Sequence, residues 1–283
     1  MKESKIRVDT LLVEQGHFPT REKAKRAIMA GLVFHKETRV DKPGEKIPSS
    51  SLLRVKGNPN PFVSRGGYKL EKAITYFSLD LTDRVLLDVG SSTGGFTDCA
   101  LQNGASHSYA VDVGTNQLDW KLRSDARVTV MEKTNFRHAT REDFNGPRPN
   151  LATADVSFIS LRHILPPLRA IAEPMSPCVL LVKPQFEAGK QSVGKKGIVR
   201  DASVHKQVLV ELLSFAKQLG FSIQGLTYSP ITGGDGNIEF LLYCETPDND
   251  FSDDVELVLD EAEQQKIVDT VQEAHGHFPK RDG

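Results

Sequence analysis

The stretch Val85-Leu-Leu-Asp-Val-Gly-Ser-Ser-Thr-Gly-Gly-Phe96 decides the fold of this chain. Four of the five residues 85–89 are aliphatic, a pattern typical of a strand buried on both faces of a parallel sheet. The three glycines that follow permit a tight turn and a close approach of the backbone to a ligand. We predict a helix over residues 96–101 and a second strand over 108–113. Together these elements form the unit that holds an adenosine moiety in doubly wound α/β folds.

The acids around this turn favour a cofactor that carries positive charge. The glycine spacing is Gly-x-x-x-Gly-Gly, whereas Gly-x-Gly-x-x-Gly cradles a dinucleotide pyrophosphate. A carboxylate in the strand disfavours a phosphate but suits the amino-acid end of S-adenosylmethionine, and an acid about 20 residues further on suits ribose hydroxyls. The alternative is an α/β turn that binds no nucleotide. We therefore predict a site for S-adenosylmethionine formed by Asp88, Gly90, Ser92, Thr93, Gly94, Gly95, Phe96 and Asp112.

Composition indicates a two-domain cytoplasmic protein. The chain has 283 residues, 39% hydrophobic and 26% charged, which is ordinary for globular domains and exceeds the usual length of one. No apolar run approaches the roughly 18 residues of a membrane span, and Met1 to Lys5 lead into no apolar signal core. Three cysteines without Cys-x-x-Cys spacing predict buried thiols in a reducing compartment, with no metal site.

The first 60 residues form a basic module. They contain 13 Lys or Arg and 7 Asp or Glu, whereas residues 245–265 contain nine acids and no base. We predict one short helix ending near Gly16 and a second from Arg21 to Ala30, capped by Thr20, with short strands near residues 32–34 and 52–55. The bases on the second helix favour RNA binding, the alternative being that they form a solvated helix face.

This segment resembles the alpha-L RNA-binding motif. The residues that carry the resemblance are Arg7-Val8-Asp9, Leu11-Leu12, Gly16, Thr20-Arg21 and Ala24 through Gly31-Leu32-Val33. The resemblance covers about the first 55 residues. With the positive charge surplus, it predicts RNA contacts at Arg7, Arg21, Lys23, Lys25 and Arg26. Beyond this segment we predict a further RNA contact at Arg65.

Asp88, Asp112, Asp155 and Lys183 lie at or near the carboxyl ends of predicted strands, where open α/β sheets bind ligands, so they can converge on one crevice. Asp155 and Lys183 end apolar strands, Glu239 lies in a predicted strand over 238–243, and Lys69 lies in the first turn of a helix. After the strand ending at Asp155 there is no Asn/Asp-Pro-Pro-aromatic sequence that would hold an exocyclic amine. No cysteine follows a proline at a strand end to attack a pyrimidine. Two bases and two acids can instead deprotonate and orient a hydroxyl, unless they are solvated surface residues.

These motifs together resemble a known family. Lys69, Asp155, Lys183 and Glu239, with the sequence 88–96, are similar to the RrmJ/FtsJ-type ribose 2′-O-methyltransferases. Ser64-Arg65-Gly66-Gly67, Lys183-Pro-Gln-Phe-Glu187 and Lys196-Gly-Ile-Val-Arg-Asp201 extend the resemblance to the TlyA family. It covers about residues 5–245 and departs at Ser91, where the family carries Ala. The resemblance implies S-adenosylmethionine-dependent methylation of cytidine 2′-hydroxyls in ribosomal RNA, with ribosomal subunits as partners.

We therefore predict a Rossmann-like α/β methyltransferase, mostly of parallel sheet with helices on both faces, preceded by a small α+β RNA-binding domain. The expected boundaries are residues 1–57 for the RNA-binding domain, 58–65 for a linker rich in proline, 66–246 for the methyltransferase domain, and 247–283 for an acidic segment and helix. Two alternatives remain at this point: an RNA-binding assembly factor without catalysis, and the hemolysin that the family label suggests.

Overall fold

The computed structural model describes residues 4–18, 20–56, 61–194, 197–248 and 258–279. Two compact units divide the chain, Met1–Pro61 and Phe62–Gly283. Some residues of the predicted segments lie outside the described residues: 1–3, 19 and 57 of the RNA-binding domain, 58–60 of the linker, 249–257 and 280–283 of the C-terminal segment, and Lys196 of the family motif.

The smaller unit combines two helices with two small antiparallel sheets, which confirms the predicted α+β class. Its elements are β1 (Lys5–Arg7), α1 (Val8–Glu14), α2 (Arg21–Met29), β2 (Val33–His35), β3 (Thr38–Arg39), β4 (Lys46–Pro48) and β5 (Leu53–Val55). β1 pairs with β4, and β2 lies between β3 and β5. Thr20 caps α2 as predicted, because its side chain accepts a hydrogen bond from the Lys23 amide at 3.3 Å. The apolar faces of both helices pack into one core.

The larger unit is built on a seven-stranded sheet. Its strands are β6 (Val85–Val89), β7 (His107–Val111), β8 (Val128–Met131), β9 (Leu151–Ala154), β10 (Pro177–Val182), β11 (Ser222–Tyr228) and β12 (Phe240–Glu245), in the order β11-β12-β10-β9-β6-β7-β8. The five strands from β10 to β8 are parallel, and β12 runs antiparallel to both its neighbours. This confirms the mostly parallel α/β fold. Sequence reasoning missed β8, and Glu239 precedes β12 instead of lying within a strand.

Helices cover both faces of this sheet. They are α3 (Gly66–Phe77), α4 (Gly95–Gln102), α5 (Trp120–Arg123), α6 (Leu165–Ile171), α7 (Pro184–Glu187), α8 (Ala202–Gln218) and α9 (Glu261–His277). Successive strand residues point to opposite faces. Leu86 accordingly packs with residues of α3, α4 and α5, and Leu87 packs with residues of α6, α8 and α9. The C-terminal helix α9 thus belongs to the core of the larger unit.

Candidate active site

A cavity of about 340 Å³ opens at the edge of the sheet where β6, β9 and β10 end. The chain order of the strands reverses between β6 and β9, and such a switch point is where open α/β sheets bind ligands. The residues that line the cavity are Ser64, Arg65, Gly66, Lys69, Asp88, Gly90, Ser91, Ser92, Thr93, Gly95, Phe96, Asp155, Ser157, Lys183, Ile231, Thr232, Gly233, Gly234 and Glu239.

The glycines of the turn after β6 are required by neighbouring protein atoms. Gly90 has φ +82°, and a Cβ there would lie 2.6 Å from the Asp155 carbonyl oxygen. Gly94 has φ +94°, and a Cβ there would lie 2.2 Å from Leu122 Cδ1. Any larger residue would therefore be strained and would collide with the protein before meeting a ligand. Gly95 begins α4, one residue earlier than predicted.

Asp88 is fully buried between the sheet and the glycine turn. Its Oδ2 accepts hydrogen bonds from the Thr97 amide at 3.1 Å and the Thr97 hydroxyl at 2.7 Å, and its Oδ1 accepts from the Thr153 hydroxyl at 3.0 Å. Burial raises the pKa of Asp88 to about 6, although the threonine donors oppose that shift. Asp88 therefore ties α4 and β9 to β6 while it borders the cavity.

Asp112 follows β7 directly and braces the glycine turn. Its Oδ2 accepts a hydrogen bond from the Ser92 amide, and its Oδ1 accepts one from the Gly114 amide, both at 2.7 Å. Ser92 has φ +48° and lines the cavity. The carboxylate is only partly buried, so free lone pairs remain for a ligand beside the turn.

Lys69, Asp155, Lys183 and Glu239 form one ion-pair cluster on the cavity wall. Lys69 Nζ, on α3, lies 3.1 Å from Asp155 Oδ2 and 2.9 Å from Glu239 Oε2. Lys183 Nζ lies 2.6 Å from Asp155 Oδ1 and donates to Ser157 Oγ at 2.9 Å. The two lysines are each 8% exposed and Glu239 is 2% exposed. Asp155 thus lies between the two ammonium groups and binds both.

The electrostatics of the cluster follow from this arrangement. Burial alone would raise the pKa of Asp155, but Lys69 and Lys183 outweigh burial and lower it. Burial alone would lower the pKa of Lys69, but Asp155 and Glu239 outweigh it and raise it. Burial raises the pKa of Glu239, and Lys69 offsets that only in part. Lys69 and Asp155 are therefore both charged at neutral pH.

Sequence reasoning missed Ser157 and Phe158, which follow Asp155 on the loop after β9. Phe158 has φ +63°, a rare backbone conformation for a bulky residue, and its side chain is 91% exposed. Its ring centroid lies 5.1 Å from that of Phe186 on α7. An exposed aromatic side chain held in a strained conformation beside a cavity is a signal for ligand contact that appears only in the folded structure.

The predicted RNA contacts of the smaller unit fall into two groups. Arg7 and Arg21 bind the fully buried Asp9 at 2.9 and 3.0 Å, and these guanidinium groups keep the pKa of Asp9 well below its usual range. Lys25 pairs with Glu22 on the same helix. The remaining two bases of α2, Lys23 and Arg26, are exposed. Arg65 belongs to the larger unit, where it lines the cavity.

The cysteines, the acidic and histidine side chains, and the helices bear on the predicted absence of disulfides, metal sites and membrane spans. Cys99, Cys178 and Cys244 are free and buried. Across the described ranges, no group of three or more His, Cys, Asp or Glu side chains is placed to hold a metal ion. None of the helices in the described part of the chain combines the length and apolar character needed to cross a membrane.

Comparison with known proteins finds one matching family and several close relatives. Residues 62–246 match the family described as FtsJ-like methyltransferase. The "Putative rRNA methyltransferase YqxC" of Bacillus subtilis is 59% identical over 275 residues, which cover 97% of this chain and 96% of that protein. The "16S/23S rRNA (cytidine-2'-O)-methyltransferase TlyA" of Mycobacterium tuberculosis is 40% identical over 243 residues, which cover 86% of this chain and 90% of that protein. A solved structure described as "Putative hemolysin from Streptococcus thermophilus" is 51% identical, covers 97% of each chain and has a TM-score of 0.73.

Proposed function

Because the chain belongs to the FtsJ-like methyltransferase family, we propose that it transfers a methyl group from S-adenosylmethionine to the 2′-hydroxyl of a cytidine in ribosomal RNA, in the cytoplasm. The observation that carries this proposal is the buried ion-pair cluster of Lys69, Asp155, Lys183 and Glu239 beside the glycine turn. The names of the Bacillus and Mycobacterium relatives support ribosomal RNA as substrate, and the latter supports the cytidine 2′-hydroxyl.

The residues around the glycine turn fit S-adenosylmethionine. Residues 90–93 and the acidic Asp155 line the cavity, an environment that suits a cofactor with a sulfonium and an ammonium group. We assign the ribose hydroxyls of the adenosine to Asp112, whose partly exposed carboxylate lies against Ser92. Asp88 serves the site indirectly, since its hydrogen bonds to Thr97 hold the start of α4 under the turn. When bound, the cofactor supplies an activated methyl group.

We assign the proton chemistry to Lys183. A ribose hydroxyl is a poor nucleophile, so its oxygen must lose a proton as it gains the methyl group. Lys183 lines the cavity, and we assign to its side-chain nitrogen the role of accepting that proton. Asp155 stabilises the ammonium group that results, because its Oδ1 lies 2.6 Å away. Lys69 binds the other oxygen of Asp155 and thereby orients it, and Glu239 holds Lys69.

RNA recognition, in this proposal, involves both units. The smaller unit acts as the RNA-binding domain and offers Lys23 and Arg26, the exposed bases of α2, to phosphate groups. In the larger unit, Arg65, which lines the cavity, is assigned to contact RNA near the target nucleotide. Phe158 offers an exposed ring on which the target base can stack, an interaction worth about 1–3 kcal/mol per base.

Transfer of labelled methyl to intact ribosomes, isolated subunits and naked ribosomal RNA, followed by mapping of the modified nucleotide, tests this function. We expect label on a cytidine ribose with the wild-type protein and none with Lys183→Ala. An RNA-binding assembly factor without catalysis would bind the same RNA but transfer no label. Label on a base instead of a ribose would also contradict the proposal.

A further inference from the structure

Glu187 binds a loop that is distant in the sequence but borders the candidate active site. It occupies the last position of α7, just beyond Lys183. Its Oε2 accepts a hydrogen bond from the Ser160 hydroxyl at 2.6 Å, and its Oε1 accepts one from the Leu161 amide at 2.7 Å. Glu187 is partly buried, and this burial raises the pKa of its carboxyl group. Both carboxylate oxygens are thus used to hold the loop after β9.

The loop that Glu187 holds contains a strained residue. Phe158 has a left-handed backbone conformation, φ +63°, which is unfavourable for a residue with a bulky side chain and persists only where the surroundings enforce it. The side chain of Phe158 makes a ring contact with Phe186 but is otherwise exposed. Glu187 accepts its two hydrogen bonds two and three residues beyond Phe158 and so restrains this part of the loop.

The same loop supplies two groups that bind the proposed proton acceptor. Asp155 and Ser157 contact Lys183 at 2.6 and 2.9 Å. The segment from Lys183 to Glu187 and the loop 155–161 therefore bind each other at two places. At one end the loop holds the lysine, and at the other end the short helix after the lysine holds the loop. A shift of about 1 Å in either segment can reduce a reaction rate by about 100-fold.

We propose that Glu187 is a positioning residue for methyl transfer: its hydrogen bonds to Ser160 and Leu161 hold Ser157 and Phe158 in place against Lys183. This inference rests on the proposed function of the site. Glu187 does not line the cavity, so it acts through the loop and not on the reacting atoms.

The test compares Glu187→Ala with Glu187→Gln, whose amide can still accept from the Leu161 amide and bond Ser160. For methyl transfer to ribosomal RNA we expect kcat of the alanine variant to fall by about 10- to 100-fold, with the dissociation constant for S-adenosylmethionine unchanged. Glutamine should restore kcat to within about threefold of wild type. Equal kcat in the alanine variant and wild type, or no restoration by glutamine, would overturn the proposal.

A second measurement is independent of catalysis. Hydrogen exchange of the Leu161 amide, which donates to Glu187, should be faster in Glu187→Ala and near wild type in Glu187→Gln. Unchanged exchange in the alanine variant would overturn the inference, whereas an inactive wild-type protein would contradict only the proposed function. Ser160→Ala, which removes one of the two bonds, replaces Glu187→Ala if that variant does not fold. Glu211→Ala is the matched control, because it removes an exposed carboxylate that pairs with Arg162 nearby.

Discussion

Replacement of Lys183 separates its role as proton acceptor from its role as a buried cation. Lys183→Ala removes the ammonium group from its contacts with Asp155 at 2.6 Å and Ser157 at 2.9 Å. Loss of a general base lowers a rate by at least about 100-fold, or about 2.7 kcal/mol of transition-state stabilisation. Lys183→Arg keeps the positive charge beside Asp155, but a guanidinium group stays protonated and accepts no proton. Both variants should therefore lose methyl transfer.

The assay is the initial rate of labelled methyl transfer at saturating S-adenosylmethionine and ribosomal RNA, with cofactor affinity measured by calorimetry. Lys183→Ala also leaves Asp155 with Lys69 as its remaining cation, so we expect about 1.5–3 kcal/mol of lost stability, to be checked by thermal unfolding. Lys217→Ala is the matched control, because Lys217 pairs with Glu263 at 2.7 Å on α8, away from the cavity. If Lys183→Arg transfers methyl at near the wild-type rate, Lys183 acts only through its positive charge and another group accepts the proton.

Three further outcomes follow from the structure. Asp112→Ala should weaken S-adenosylmethionine binding by about 1–3 kcal/mol, because that is the scale for hydrogen bonds to a charged group. Calorimetry measures this affinity, and an unchanged value would show that Asp112 does not bind the cofactor. Replacing Lys23 and Arg26 with Ala should reduce the slope of log affinity for RNA against log salt by about 1.5, since each phosphate contact releases counterions, and an equal slope would place the RNA elsewhere. Burial and the neighbouring His275 lower the pKa of the buried His205 to about 4 from its usual 6.5. The folded protein therefore favours the neutral imidazole of His205. This preference contributes about 3 kcal/mol to the free energy of unfolding, a contribution that is complete above pH 6.5 and is lost as pH falls towards 4. His205→Gln should make the free energy of unfolding depend less on pH over this range. An unchanged pH dependence would show that His205 is not its cause.

The sequence predicted the fold well where hydrophobic patterns were strong. The strands around Leu87 and Leu180 are mostly aliphatic, and every residue of both is buried in the sheet. The edge strand β8, Val128–Met131, escaped prediction because it is only partly buried and its residues alternate weakly. Edge strands lack a second neighbour, so their sequences carry a weaker signal.

The roles of single charged residues depend on contacts that no local pattern reveals. Arg7 and Arg21 both bind the fully buried Asp9, a contact that their charge alone does not reveal, and their RNA contacts stay a prediction. Glu187 was visible only as part of a family motif, since its partners Ser160 and Leu161 lie on another loop. Tertiary contacts of this kind follow from the path of the backbone, which sequence periodicity does not determine.

The position of Glu239 shows why a small error in a strand boundary matters for the site. In a parallel sheet, residues that follow the strands meet at one edge, which places Asp155 and Lys183 together. β12 runs antiparallel to β10, with Val182 opposite Phe240, so its beginning lies at that same edge. Glu239 can therefore reach Lys69 because it precedes β12 directly, in register with Lys183, which follows β10. Had Glu239 lain further along β12, it would have been carried away from the cluster by about 3.4 Å per residue, and Lys69 would have kept Asp155 as its only carboxylate partner within the cluster.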